Sequence, residues 1–285
     1  MFKILKKRDL TPVTKLFVVH APLVARKAEP GQFVIVRLTP SGERIPLTVA
    51  DSDAGSGTVT IVVQEVGKTS RLLGALREGD TILDFVGPLG RPAPLTDRGP
   101  VVLVGGGFGV APIYPIAKAL KAKGVKVISI IGARTKDLLI LEEEMASVSD
   151  ELLVATDDGS KGHHGLVTDV LRQLIDSGRE IEQVIAIGPM VMMRAVAKTT
   201  EPYKLKTLVS VDPIMVDGTG MCGACRLTVA GKVKFACVDG PIFDAHDVDF
   251  DEAVRRGKMY AAEQKLAVEE MEKHGKCACG CGGEQ

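Results

Sequence analysis

The chain has 285 residues, 45% hydrophobic and 25% charged, the proportions of a folded globular protein rather than a disordered or fibrous one. Its 36 basic and 36 acidic side chains cancel, which leaves no positive surplus to hold a polyanion and argues against a nucleic-acid partner. At this length two or three domains are expected.

The N-terminal stretch Met1-Phe2-Lys3-Ile4-Leu5-Lys6-Lys7 lacks a long apolar core and a cleavage signature, so a cytoplasmic protein is expected. Residues 1–96 alternate short β-branched runs with turn residues. Leu16 to Val19, Phe33 to Leu38 and Thr58 to Val63 are such runs, with Pro30-Gly31, Ser41-Gly42 and Gly87-Pro88-Leu89-Gly90 among the turns. Short strands at this spacing predict an antiparallel barrel or sandwich. Within it, Arg44-Ile45-Pro46-Leu47-Thr48-Val49 places an arginine, a proline and a hydroxyl on one strand. That set suits a pyrophosphate and hydrogen bonds to a flavin ring, and taken alone it is also ordinary edge-strand chemistry.

Residues 97–205 change to a strand–helix–strand rhythm, which predicts a parallel sheet covered by helices. The longest uncharged stretch, Val101 to Ala117, carries four glycines and two prolines; it reads as strand, turn and helix start, not as a membrane span. Its turn, Gly105-Gly106-Gly107-Phe108-Gly109-Val110-Ala111-Pro112, fits a dinucleotide pyrophosphate brought to a helix N-terminus, or a plain tight connection. Gly132 and Arg134 follow the second strand, Asp157, Asp158 and Gly159 the third, and Gly188, Pro189 and Met190 a fourth. Such loops gather at the carboxyl ends of the strands, where ligands of open parallel sheets bind. No acidic residue stands clearly at the ribose position, and Arg134 suits a ribose or a 2′-phosphate. NAD(H) and NADP(H) therefore both stay open.

Residues 206–285 form a small Gly- and Cys-rich module, a helical stretch near Asp251 to His274, and a tail. The first 221 residues contain no cysteine and all six lie in the last 64, which favours metal over a disulfide framework. Asp217, Cys222, Cys225 and Cys237 follow D-x4-C-x2-C-x11-C, and a plant-type [2Fe–2S] site uses C-x4-C-x2-C with a distant fourth cysteine. Asp217 thus occupies the place of the first cysteine, as a ligand or as a turn residue. A redox CxxC or half a zinc site is the other reading of Cys222 and Cys225. In the tail, His274, Cys277, Cys279 and Cys281 suit either a flexible end or an additional metal. His163-His164 reads as a surface pair or a nucleotide contact, and the methionines, Met190, Met192 and Met193 among them, as core filler or partner packing.

Taken with Val63-Gln64-Glu65-Val66-Gly67-Lys68-Thr69-Ser70, the RxPLTV strand, the GGGFGVAP turn, the Gly-Pro-Met loop and the terminal Cys module occur in an order that resembles the ferredoxin–NADP reductase superfamily. Within it the chain is similar to the dihydroorotate dehydrogenase electron-transfer subunits and their relatives. Those include the small subunit of NADH-dependent reduced ferredoxin:NADP oxidoreductase, also known as a sulfide dehydrogenase subunit. Asp217, with Val-Asp-Pro-Ile-Met-Val before it and Phe235 to Pro241 after the hairpin, resembles that transhydrogenase branch; the dihydroorotate branch normally has four cysteines.

The resemblance implies an α+β, multidomain fold: an antiparallel flavin barrel, an α/β nucleotide domain and a [2Fe–2S] module. It implies that Arg44, Pro46, Leu47, Thr48, Val49, Val63, Gln64, Lys68, Thr69 and Ser70 hold FAD. Gly105 to Pro112 and Gly188-Pro189 would hold the dinucleotide, and Asp217, Cys222, Cys225 and Cys237 the cluster. It further implies an oxidoreductase subunit that passes electrons between NAD(H), FAD and the cluster. Its partner would be a larger subunit with another flavin and [4Fe–4S] clusters, with ferredoxin as a further electron carrier, coupled by electron bifurcation. A dihydroorotate or sulfide dehydrogenase partner is the alternative. A redox-sensing module without turnover is an alternative of another class, disfavoured by the intact Gly-rich turn.

Overall fold

In the computed structural model, which describes residues 1–273, the β-branched runs of the first third pair into one antiparallel sheet. Its strands are β1 (Phe2–Thr11), β2 (Thr14–His20), β3 (Phe33–Arg37), β4 (Ile45–Asp53), β5 (Thr58–Gln64), β6 (Thr81–Ile82) and β7 (Asp84–Leu89), in the order β6-β1-β2-β5-β4-β3-β7. Alternate residues of these strands point inward, as the period of two requires. Phe17, Val34, Leu47, Ile61 and Phe85, from five different strands, meet in one core. The sheet therefore wraps around its own apolar face, as a barrel does. Helix α1 (Pro22–Ala25) and Leu73 of α2 (Lys68–Ala75) add to that core.

From Val101 the hydrophobic runs lose their alternation, and both faces are buried. The elements are β8 (Val101–Gly106), α3 (Val110–Ala122), β9 (Val127–Ala133), α4 (Glu142–Val148), β10 (Glu151–Thr156), β11 (His163–His164), α5 (Val167–Asp176), β12 (Gln183–Ile187), α6 (Met190–Thr200) and β13 (Thr207–Ser210). Val102, Val104, Ile128 and Val184 face one helical layer, while Val101, Leu103, Val127 and Ile185 face the other. His163-His164 is the short edge strand β11, paired with Ala155 and Thr156.

The last third contains β14 (Arg226–Val229), β15 (Lys232–Phe235), α7 (Ala236–Asp239), β16 (Ile242–Asp244), α8 (Phe250–Gly257) and α9 (Ala261–Lys273). The second sheet runs β11-β10-β9-β8-β12-β13-β16 and is parallel except for its last pair, β13 with β16. Thus β13 and β16, on either side of the β14–β15 hairpin, extend the parallel sheet. The C-terminal helical stretch is two helices, separated by a turn at Lys258-Met259-Tyr260 directly after Gly257, a residue that weakens a helix interior. His274, Cys277, Cys279 and Cys281 lie outside the described residues.

The parts are joined by specific contacts. Lys118 Nζ of α3 lies 2.9 Å from Asp51 Oδ1 of β4, which ties the barrel to the parallel sheet and its helices. Arg91, just past β7, donates its N–H to Gly240 O at 2.6 Å and its Nε–H to Val238 O at 3.1 Å, which ties the barrel to the C-terminal module. Among the described residues no helix is long and apolar enough to cross a membrane.

Candidate functional site

A cleft of about 1060 Å³ opens between the two sheets. One wall is built from the carboxyl ends of the parallel strands and the turns after them. Gly106, Gly107, Gly109 and Pro112 come from the β8–α3 turn, Gly132 and Arg134 from the end of β9, Asp157 from the end of β10, and Gly188 and Pro189 from the end of β12. The β8–α3 turn is tight against the neighbouring strand end. A Cβ on Gly109 would come within 2.0 Å of Ile187 O, so only glycine lets the turn close there.

The opposite wall comes from the barrel. Pro46, Leu47 and Thr48 of β4, Val63 and Gln64 of β5, and Lys68, Thr69 and Ser70 at the start of α2 line it. Ser70 Oγ accepts the N–H groups of Val66 and Gly67 at 3.0 and 2.9 Å, which fixes the entry into α2. Thr69 Oγ1 donates to Glu43 Oε2 at 2.6 Å, locking both side chains at the cleft wall. Asp212, two residues past β13, also faces the cleft. Its surface is open toward the cleft, yet protein atoms surround it closely, and this burial pushes its carboxyl up to about 6, offset only by its own backbone N–H.

Behind β3 and β7 lies the cysteine loop. Cys225 and Cys237 are buried with their sulfurs 3.2 Å apart, while Cys222 is exposed. Asp217 accepts the backbone N–H of Thr219 at 3.0 Å and of Cys222 at 2.9 Å, and these bonds hold its carboxyl below the usual range. Burial, with Cys225 alongside, pushes the Cys237 thiol up to about 12; the Gly220 N–H pulls the other way. Gly218, Gly220 and Gly223 all have positive φ, which lets the loop curl back on itself.

Among the described residues no three Cys, His, Asp or Glu side chains converge on one point as a single ion requires. The donors form two neighbouring pairs, Cys225 with Cys237 and Asp217 with Cys222; the first three in sequence lie in the loop before β14, and the β14–β15 hairpin returns Cys237, in α7, to them. Three soft thiols and one carboxylate, close together but in two pairs, fit an iron–sulfur group larger than a single ion.

Comparison with known proteins agrees with this geometry. An oxidoreductase FAD-binding domain model matches residues 1–93, an oxidoreductase NAD-binding domain model residues 103–198, and the iron–sulfur cluster binding domain of dihydroorotate dehydrogenase B residues 212–249. A Thermotoga maritima protein named dihydroorotate dehydrogenase B (NAD(+)), electron transfer subunit homolog is 49% identical over 94% of both chains. The chain belongs to the family of dihydroorotate dehydrogenase B electron-transfer subunits. The Bacillus caldolyticus electron-transfer subunit is 40% identical, covering 79% of this chain and 89% of that one. In three dimensions the chain is similar to one in the structure of NADH-dependent reduced ferredoxin–NADP oxidoreductase, studied for flavin-based electron bifurcation. The TM-score is 0.91 and the identity 47%, over 95% of this chain and 98% of the other.

As a member of this electron-transfer family the chain is an oxidoreductase of the ferredoxin-reductase type, with FAD-binding, NAD-binding and iron–sulfur-binding domains. Not every residue singled out in the sequence reaches the cleft. Arg44, Val49, Gly105, Val110, Ala111, Asp158, Gly159 and Met190 are outside its lining. Val49 points into the barrel core and Val110 and Ala111 into the core beneath α3, while Arg44 is exposed to solvent. Glu43, Phe33, Asp212, Gln264 and Ala267 line the cleft without a sequence signal of their own. Only the proximity of Glu43 to the RxPLTV strand, and of Asp212 to the cysteine loop, marks them in the sequence.

Proposed function

We propose that this subunit is the NAD(H)-side electron carrier of a complex of the NADH-dependent reduced ferredoxin:NADP oxidoreductase type, acting in the cytoplasm. It works in three parts: a flavin part at 1–96, a nucleotide part at 97–205 and a cluster part at 206–285. The observation that carries the reading is the position of β3. Phe33 faces the cleft, and two residues on, Ile35 backs against the cysteine loop, where a Cβ on Gly218 would meet Leu89 Cδ1 at 2.7 Å and Ile35 Cγ1 at 3.0 Å. Residues two apart share a face of a strand, so one face of β3 in the flavin part meets the dinucleotide cleft at Phe33 and the cysteine loop at Ile35, side by side.

In this reading Pro46, Leu47, Thr48, Lys68, Thr69 and Ser70 hold FAD, and Glu43 sets the Thr69 hydroxyl. The turns at Gly106 to Pro112, Gly132 to Arg134 and Gly188-Pro189 hold the nicotinamide dinucleotide. Asp157 in the lining, and Asp158 beside it, held ionised by the Ser160 hydroxyl, place negative charge where a 2′-phosphate would be repelled. That favours NAD(H) over NADP(H). Asp217, Cys222, Cys225 and Cys237 hold a [2Fe–2S] cluster. FAD bound there would supply a group able to accept a hydride from the dinucleotide and to give up electrons one at a time, as an iron–sulfur cluster requires. The chain's own residues fix where each group is held and need supply no general base.

The partner is a larger subunit with a further flavin and [4Fe–4S] clusters, and ferredoxin exchanges electrons with the complex by bifurcation. A dihydroorotate dehydrogenase partner is the second reading, favoured by the names of the relatives at 40% identity. Two measurements test the proposal. The protein purified anaerobically with its bound partner, reduced with dithionite, should give a rhombic [2Fe–2S] signal in EPR that changes in both Asp217→Ala and Asp217→Cys. Identical spectra in all three remove Asp217 from the ligand set. Zinc in place of iron removes the electron-transfer reading, and a co-purifying dihydroorotate dehydrogenase selects the second one.

A further inference from the structure

The three family models end at residue 249, so α9 lies beyond all of them. Yet Gln264 and Ala267 of α9 line the cleft, facing the start of α2 where Lys68, Thr69 and Ser70 line it. Gln264, Ala267, Val268 and Met271 recur at i, i+3, i+4 and i+7, a single stripe along the helix. Ala267, Val268 and Met271 of that stripe are half-buried, whereas Leu266 on another side is 59% exposed. Near its C-terminal end, Glu272 Oε1 accepts from Arg71 Nη1 of α2 at 2.6 Å.

A helix of 13 residues is marginal in water on its own, and α9 has no buried residue. Within the structure it is held by α2, through packing and the Arg71–Glu272 pair. Its four acidic residues before the tail, Glu263, Glu269, Glu270 and Glu272, are all absent from the lining, so the part of α9 that meets the cleft is uncharged. Across from it, the first turn of α2 and the Lys68 ammonium present positive potential, and the one carboxylate at that turn, Glu43, is engaged by the Thr69 hydroxyl. The space between the two helices is thus suited to a phosphate-bearing ligand.

We propose that α9 is a wall of the flavin site, holding the adenosine diphosphate half of FAD against the N-terminus of α2. The inference rests on the flavin reading above. It assigns to Gln264 and Ala267 a binding role and to the Arg71–Glu272 pair a positioning role.

The test is the rate at which the full-length protein, loaded with FAD, releases it on dilution, followed by flavin fluorescence. Ala267→Glu puts a carboxylate beside the phosphates, and FAD loss should speed up by about tenfold, since changes within one interface act mainly on the off-rate. Lys265→Glu, on a side chain 79% exposed and outside the lining, makes a larger charge change and should leave the rate at the wild-type value. Removal of residues 261–285 should accelerate release at least as much as Ala267→Glu. If Ala267→Glu and the truncated chain release FAD at the wild-type rate, α9 is not part of the site. Equal acceleration in Ala267→Glu and Lys265→Glu also overturns it, since general charge would then be the cause. A wild-type protein that binds no FAD overturns the flavin reading instead, and the role of α9 with it.

Discussion

Gly109 in the cleft and Gly218 in the cysteine loop both sit where no side chain fits, but against different neighbours. At Gly109 the obstacle is backbone: a Cβ would meet Ile187 O at 2.0 Å and Gly188 Cα at 2.8 Å. The local φ there is an ordinary −61°, so crowding alone excludes a side chain. At Gly218 the obstacles are side-chain atoms, the end of Leu89 and the Cγ1 of buried Ile35, and a positive φ of 75° adds to them. The cleft is therefore shaped by rigid strand ends packed against each other. The cysteine loop is shaped by its own conformation and by side-chain donors, and it rests on the barrel without being fused to it.

That contrast can be broken by measurement. Gly109→Ala should destabilise the protein by about 3 kcal/mol, because two strand ends must separate to admit the methyl group. It should also abolish NAD(H) binding, as checked by urea denaturation and by titration with NADH. Gly218→Ala should cost less, about 1–2 kcal/mol from the left-handed conformation. Its iron content should fall while NADH titrates as in wild type. If Gly218→Ala proves the more damaging for nucleotide binding, the two regions are not separable in this way.

A smaller effect sharpens the picture of the segment between them. Asp212 has a folded pKa of about 6 against an ordinary 3.8, so the folded state binds its proton more tightly than the unfolded chain does. Below 3.8 the group contributes nothing to the balance. As pH rises from 3.8 to 6 the unfolded chain ionises first and the fold loses stability; above 6 the loss is constant. Asp212→Asn should therefore stabilise the protein at pH 7.5 by about 1 kcal/mol, allowing for the open side of the cleft, and change nothing near pH 4. Urea midpoints at the two pH values check this. An unchanged difference between them would mean that solvent in the cleft screens Asp212 fully.

Much of this architecture is readable from residue order, for physical reasons that differ between the regions. Thr58 to Val63 and Val101 to Val104 show as strands because alternation and continuous apolarity report one buried face or two. Asp217, Cys222, Cys225 and Cys237 show because three of the donors share one loop and the fourth follows a single short hairpin, so their spacing is local. What escapes is whatever depends on approach from far along the chain. β16 (Ile242–Asp244) is three residues long and joins the nucleotide sheet only because the hairpin before it returns the chain to β13. Gln264 carries no pattern of its own and reaches the cleft from far along the chain, whereas Glu43 and Asp212 are marked only by their neighbours, the RxPLTV strand and the cysteine loop. The RxPLTV strand is equally instructive: Thr48 faces the cleft and its neighbour Val49 the barrel core, a difference that strand alternation fixes but that a motif read as a block does not show.

The pairing of Ser210 with Ile242 has one more consequence. Residues 211–241 leave the nucleotide sheet and come back to it at adjacent rungs, so the whole redox loop is an insertion between two neighbouring strands of a fold that is otherwise closed. Closing such an excursion costs entropy that grows only with the logarithm of its length. The insert can accordingly change length at its exposed Ala230-Gly231 turn while the sheet keeps its register, provided Cys225, Leu227 and Ala236, which share one core with the sheet, keep their volume. For an engineer, the Ser210 and Ile242 rungs are the natural splice points at which to transplant another electron relay of the same core volume into the same nucleotide-reading frame.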